Sequence, residues 1–210
     1  MHIAEGILSG PVLGAGAVAT GIGVAVGLRR LSYEEIPRTA VMASVFFVVS
    51  LVRIPVGGGS VHLLLIGLTG LLLGWAAFPA ILIGLVLQAQ LFGFGGLTTL
   101  GVNTLNMALP AVACHFLFRH LVRRSRPVVA AAWAGIGAGL ATLAACALLS
   151  ASLLLAGREF HLLVKLVVIA HLPVVVVEAV VTGAVISFLK RVRPDILSEG
   201  VLLHAPQELR

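Results

Sequence analysis

Seven apolar runs divide the chain, near Leu8 to Leu28, Thr39 to Val52, Val61 to Gly74, Phe78 to Phe94, Thr104 to Leu121, Val128 to Ala156 and Leu162 to Leu189. Runs this apolar and this long predict helices that cross a membrane. The third and fourth are the ones that need arbitration, because the sequence is almost unbroken from His62 to Phe94. A single helix over that stretch would be about 50 Å long, against a hydrocarbon core of about 30 Å. The segment GWAAFPA lies in its middle and brings a Gly and a Pro, which is turn chemistry. Two short helices therefore fit better than one long one.

Charge supports the same count. Only 10% of the 210 residues are charged and 60% are hydrophobic, too apolar for a soluble domain. The length suits one compact domain over residues 1–210. The net charge is +6, but the basic residues sit between apolar runs and form no stripe for nucleic acid. With the N-terminus outside and the C-terminus cytoplasmic, the inner face receives Arg29, Arg30, Arg38, Arg119, Arg123, Arg124, Arg126, Lys190, Arg191, Arg193 and Arg210. Only Arg53, Arg158 and Lys165 stay outside, a strong positive-inside bias. Merging the third and fourth runs would put the cluster at Arg119–Arg126 opposite Arg29 and Arg30. The expected fold is thus all-α, a polytopic bundle of seven transmembrane helices. The N-terminus has no basic n-region and is not expected to be a cleaved signal. Cys114 and Cys146 lie inside apolar runs and form no CxxC, so they are expected to be buried small residues.

This topology gathers the opening MHIAEG, the loop RIPVGGGSVH and the loop FGFGGLTTLGVNT on the outer side. Irregular backbone at membrane depth is tolerated where protein buries it or where it lines a cavity. An outward-facing binding pocket follows.

The first two residues supply a chelator. The Met1 amine, the His2 backbone nitrogen and His2 Nδ1 close a five-membered and a six-membered ring on one metal ion. Three nitrogens in a plane leave one equatorial position open. Tetragonal nitrogen geometry suits Ni(II) or Cu(II), with Co(II) acceptable in a looser field, whereas Mg and Ca prefer oxygen. The best candidate for the fourth nitrogen is His62, at the start of the third run just behind three glycines that let backbone approach closely. The blander reading makes His2 a solvated terminal residue and His62 an interfacial one. The chelate also requires a retained, deformylated Met1.

MHIAEG, SVHLLLIGLTGLLLGWAAFPAI, AQLFGFGGLTTLGVNTLNMALP and HLPVVVVEAVVTG together resemble the CbiM/NikM family, in the expected order and over most of the chain. These are the substrate-specific integral-membrane components of energy-coupling factor transporters for cobalt and nickel. The resemblance implies seven helices, an N-terminus inserted into the protein, and metal held by Met1, His2 and His62. The transported Ni2+ or Co2+ is then the ligand, with no permanently bound cofactor. The implied partners are a transmembrane coupling component, two cytoplasmic ATPase subunits and a small accessory membrane protein, in a bacterial or archaeal cytoplasmic membrane. The chain has no GxxxxGK[ST] loop, so it is not expected to be an enzyme, and ATP hydrolysis falls to partners.

Other polar residues extend the candidate pocket. Asn103, Thr98 and Thr99 lie in the outer loop that resembles the family's. Asn103 is expected to hold the terminal segment or a ligand imidazole, or else to cap the fifth helix. Ser60 and Gln88 complete the set, and Gln88 and Gln90 point to different helix faces. Glu5 follows the chelating end closely and is expected either to fix the terminal segment or to neutralise local charge. His171 and Glu178 lie seven residues apart on one face of the last helix, about 10 Å apart along it. Such an intramembrane polar pair serves either interhelical structure or an ion pathway. GAGAVATGIGVAVG and AGIGAGLATLAACA allow close helix contact, either within the bundle or against a partner. Two rival functions remain at this stage: a structural assembly subunit without its own metal site, and an intramembrane metalloenzyme, which HExxH would favour and which the chain lacks.

Overall fold

The computed structural model describes residues 2–56, 59–157 and 160–197. They form, in chain order, α1 (Gly10–Arg30), a short 3-10 turn, α2 (Ile36–Val49), β1 (Arg53–Val56), β2 (Gly59–His62), α3 (Ile66–Leu73), α4 (Ala77–Phe92), α5 (Leu100–Arg124), α6 (Pro127–Ala156), α7 (His161–Val192) and a last 3-10 turn. Among the described residues, five stretches are long and apolar enough to cross a membrane: Gly10–Arg30, Ile66–Phe92, Leu100–Arg124, Pro127–Ala156 and His161–Val192. Large apolar side chains such as Leu162, Leu166, Val176 and Phe188 stay exposed along α7. In a protein of this composition, such a surface faces lipid.

The stretch 66–92 is folded on itself. Helix α3 stops at Leu73, and Gly74 takes φ 55°, ψ −125°, a conformation without a Cβ clash only for Gly. The rings of His62 and Phe94, at the two ends of the hairpin, lie 5.1 Å apart. A straight helix would separate those ends by tens of ångströms. The turn expected at GWAAFPA is therefore present, and Trp75 there lies under the Arg30 guanidinium, 5.6 Å from its carbon.

Two expectations of regular structure need correction. In the loop RIPVGGGSVH, residues 53–56 and 59–62 are not irregular: β1 and β2 pair antiparallel, with Arg53 opposite His62 and Pro55 opposite Ser60. The third helix does not start at Val61. Residues 61–62 belong to β2, residues 63–65 run extended into the bundle, and α3 is only 8 residues long. Leu65 turns into it with φ 52°, a left-handed conformation costing a β-carbon-bearing residue about 1–2 kcal/mol. A helix that begins inside the bundle leaves backbone N–H groups without water. The Glu178 carboxylate of α7 answers them, as Oε1 accepts from Leu64 N–H at 2.7 Å and Leu65 N–H at 2.6 Å.

Small residues set the packing distances. The buried stripe of α1 is Gly16, Thr20, Gly23 and Gly27. A Cβ on Gly16 would overlap Val102 of α5, and one on Gly23 would overlap Phe78 of α4. Gly67 and Gly70 bring α3 against Ala138 of α6 and the Ala111 carbonyl of α5. The small-residue segments thus pack at least partly within this bundle. Cys114 and Cys146 are free and buried. At the end of the bundle holding the α3–α4 turn, a cleft of about 260 Å³ is lined by Arg30, Arg38, Arg119 and His115 among others. Nearby, the Lys190 ammonium donates to the carbonyls of Val122 and Arg123, both at 2.8 Å.

Candidate metal-binding site

The opposite end of the bundle seats the chain's own first residues. Ile3 is 1% exposed. Asn103, in the first turns of α5, grips its backbone from both sides: Oδ1 accepts from Ile3 N–H at 2.9 Å and Nδ2 donates to Ile3 O at 3.1 Å. The same Nδ2 donates to Thr99 Oγ1 at 3.1 Å. Asn103 therefore holds the terminal segment and does not cap α5. Its carboxamide imitates a strand neighbour, satisfying a donor and an acceptor that burial removes from water.

Glu5 fastens the segment a second time. Its Oε1 accepts from Thr98 N–H at 3.1 Å and from the Thr98 hydroxyl at 3.3 Å. The backbone N–H of Thr98 holds the Glu5 carboxyl below its ordinary range, the direction expected beside the N-terminal end of α5. The glycines of FGFGG make room for this. Gly95 has φ 79°, and a Cβ there would sit 3.0 Å from Asn103 Nδ2 and 3.6 Å from His2. Gly96 has φ 139°, and a Cβ there would overlap the Glu5 side chain.

Two imidazoles meet above this seat. His2 Nε2–H donates to Gln88 Oε1 at 2.6 Å. That bond selects the tautomer with its lone pair on Nδ1, the nitrogen that the six-membered chelate ring needs. His62 Nδ1–H donates to the Ser50 carbonyl at 2.8 Å, which places the His62 lone pair on Nε2. The two rings stand edge to face, centroids 5.9 Å apart. With metal–nitrogen bonds of about 2.0–2.1 Å, two imidazoles sharing one ion have centroids roughly 4.5–6.4 Å apart. Burial is the main cause that holds His2 well below the ordinary imidazole pKa, and His62 adds a smaller push the same way against the Gln88 hydrogen bond. The ring is therefore neutral at neutral pH, as a metal ligand must be. Phe94 covers both rings, 6.0 Å from His2 and 5.1 Å from His62, and Phe92 stacks behind it at 5.7 Å.

Met1 and the side chain of Ser60 lie outside the described residues; the Ser60 backbone sits in β2. Thr99 is buried and its hydroxyl donates to Gly96 O at 3.3 Å. His171 and Glu178 are both buried, but they do not pair with each other. His171 Nδ1 bonds the Val167 carbonyl one turn back on its own helix, at 2.6 Å, while Glu178 binds the start of α3. Seven residues is two helical turns, too far for direct contact. Among the described residues no three His, Cys, Asp or Glu side chains converge on a common point. Two imidazoles do, those of His2 and His62. Sequence reasoning missed Phe94, Ser50 and the hairpin. An aromatic residue set between glycines, FGFGG, was the signal for the first.

Replacing Asn103 with Leu strands the buried N–H and C=O of Ile3. Leaving such groups unsatisfied costs about 1–3 kcal/mol each, of which we expect roughly 2–3 kcal/mol to appear as weaker seating of the terminus. The expected result is a roughly 30- to 150-fold loss of Ni(II) affinity by titration.

A helical membrane bundle here folds its own N-terminal segment against a histidine at the end of a β-hairpin, so that two imidazoles face each other. The chain belongs to the CbiM family: the family's profile, described as the cobalt uptake substrate-specific transmembrane region, matches residues 2–196. It is 43% identical over 200 residues to a putative metal transport protein of Haemophilus influenzae, covering 94% of this chain and 97% of that one. It is 31% identical to the fused nickel transport protein NikMN of Rhodobacter capsulatus, covering 99% of this chain and 67% of that one. The crystal structure of a truncated transition metal transporter superposes with a TM-score of 0.71 at 26% identity, covering 91% of this chain and 99% of that one. The protein is thus an integral membrane protein of a cobalt and nickel transport family, in which the metal is transported substrate.

Proposed function

We propose that this chain is the substrate-binding membrane component of an ATP-driven uptake transporter for Ni(II) or Co(II). Metal reaches the outer face of the cytoplasmic membrane and is taken by the Met1 amine, the backbone nitrogen and Nδ1 of His2, and Nε2 of His62. The chain crosses the membrane seven times, with the His2 end outside. The arginine-lined end lies inside, as the positive-inside bias requires. A transmembrane coupling component and two cytoplasmic ATPase subunits, with a small accessory membrane protein, move the bundle and release the ion. The fused architecture named for the Rhodobacter relative supports a multicomponent assembly. The observation that carries the reading is the pair of imidazoles 5.9 Å apart, with His2 locked by Gln88 in the tautomer that presents Nδ1.

Equilibrium binding of Ni(II) and Co(II) to the purified chain tests it, beside His62→Ala. The expected result is one ion per chain. Loss of an outer-sphere partner costs about 10–100-fold in metal affinity, so removal of a ligand should exceed about 100-fold. Equal affinity in both proteins would remove His62 from the site and the reading with it.

A further inference from the structure

His62 stands at the end of β2, and the three residues after it descend into the bundle without regular structure. Leu63 N–H still belongs to the hairpin, donating to Val52 O at 3.3 Å. Leu64, 0% exposed, and Leu65, 4% exposed, have no such strand neighbour. Their N–H groups converge on one atom, Glu178 Oε1, at 2.7 and 2.6 Å. Leu65 then takes a left-handed turn at φ 52° to start α3. A non-glycine residue holds that conformation only where its surroundings dictate it. Glu178 is itself 1% exposed and comes from α7, far away in sequence. The chain between the candidate ligand and the bundle core is therefore pinned two residues from His62 by a side chain of another helix.

We propose that Glu178 is a positioning residue for metal capture: by accepting from Leu64 and Leu65 it fixes where the chain leaves β2, and so where His62 presents Nε2 to the ion. The inference rests on the proposed role of His62. Ser50 O sets the rotation of the imidazole through Nδ1; Glu178 sets the position of the backbone that carries it. Neither touches the metal. The arrangement also ties the ligand mechanically to α7, the long helix that leaves most of its apolar surface exposed. A hydrogen-bond acceptor at this point is what matters, so the conservative replacement is informative. Glu178→Gln keeps Oε1, whereas Glu178→Asp draws the acceptor back by one methylene and Glu178→Ala removes it.

The test is Ni(II) titration of the full chain in detergent, reading affinity and the ligand-field absorption band of the bound ion, with unfolding temperature measured on the same metal-free samples. The band reports how many nitrogens surround the metal, a property that general loss of stability does not move. Glu178→Gln should keep the wild-type band, with affinity within a few fold. Glu178→Ala should shift the band to lower energy, as His62→Ala does, with affinity down about 10–100-fold. Should Glu178→Ala fail to fold, Glu178→Asp gives the same reading: a shifted band and weaker binding support the proposal. Lower unfolding temperatures with an unchanged band in Glu178→Asp or Glu178→Ala overturn it, leaving Glu178 as a helix anchor alone. A shifted band in Glu178→Gln equal to that in Glu178→Ala also overturns it. If His62→Ala itself leaves band and affinity intact, the proposed site is wrong, and the positioning role of Glu178 is overturned with it.

Discussion

Setting two glycines between Met1 and His2 abolishes tight Ni(II) binding, by about 100-fold or more, while setting one glycine there makes His62 dispensable. The difference follows from counting chelate rings. In the proposed native site the amine, one backbone nitrogen and Nδ1 give three nitrogens, and the fourth is asked of His62. One added glycine contributes its own backbone nitrogen. The amine, two backbone nitrogens and Nδ1 then complete the square by themselves, in the planar nitrogen field that Ni(II) favours. Two added glycines carry the amine out of this set, and a third peptide nitrogen can take its place only by losing an amide proton, which is far more costly than deprotonating the amine. The seat itself is spared in each case, because Asn103 and Glu5 grip residues that follow the insertion, at Ile3 and Thr98. Titrations with and without His62→Ala in each background decide the matter. Native sequence with His62→Ala should bind weakly, and the one-glycine protein with His62→Ala should bind as tightly as the one-glycine protein alone. If native, one-glycine and two-glycine proteins all bind alike, the amine is no ligand and the terminal chelate is wrong.

Much of this architecture is readable along the chain because a membrane punishes polar atoms. In a sequence with 10% charged residues, His2, Gln88, Asn103, His171 and Glu178 are conspicuous inside or beside apolar runs, and the fold gives each a specific partner. The hairpin break at GWAAFPA is legible for a similar reason, since no single helix of that length suits the bilayer. What the sequence hides is backbone. Glu178 binds the main chain of Leu64 and Leu65, an interhelical role of the kind its burial suggests but with a partner that no side-chain pattern announces. Val61 and His62 look like the start of a helix because they continue an apolar run. Their pairing in β2 depends on Arg53–Val56, a segment whose own apolar character is unremarkable. Glycine carries two meanings that sequence cannot separate. In FGFGG it supplies positive φ against the terminal segment, and in IGLTG it supplies contact distance between helices.

The second of those meanings gives the largest expected loss of stability. Gly70→Ala should destabilise the fold by about 3 kcal/mol or more, the upper end for overpacking, because the new methyl meets backbone and not a movable side chain. A Cβ on Gly70 overlaps the carbonyl oxygen and carbon of Ala111 in α5. Helix α3 cannot shift away from α5 freely, since Gly67 presses it against Ala138 of α6 three residues earlier. Gly14→Ala in α1 is the control, for nothing lies within 4 Å of a Cβ there. That change should be neutral or gain up to about 1 kcal/mol from helix propensity. Unfolding of both variants in lipid discs, followed by circular dichroism, measures the difference, and similar transitions would mean that α3 is packed less closely than the structure shows. The consequence reaches the proposed metal site along the chain. Gly70 lies one turn and a residue beyond Leu65, whose turn and whose bond to Glu178 fix the descent from His62. Whatever fraction of Gly70→Ala stays folded must move α3 outward, so it should bind Ni(II) more weakly than Gly14→Ala at equal folded concentration. A short helix with its start pinned by a carboxylate and its length pinned by two glycines is a rigid strut. Such a strut would hold the proposed ligand His62, at the end of a two-stranded hairpin, still enough to meet His2 at the proposed site.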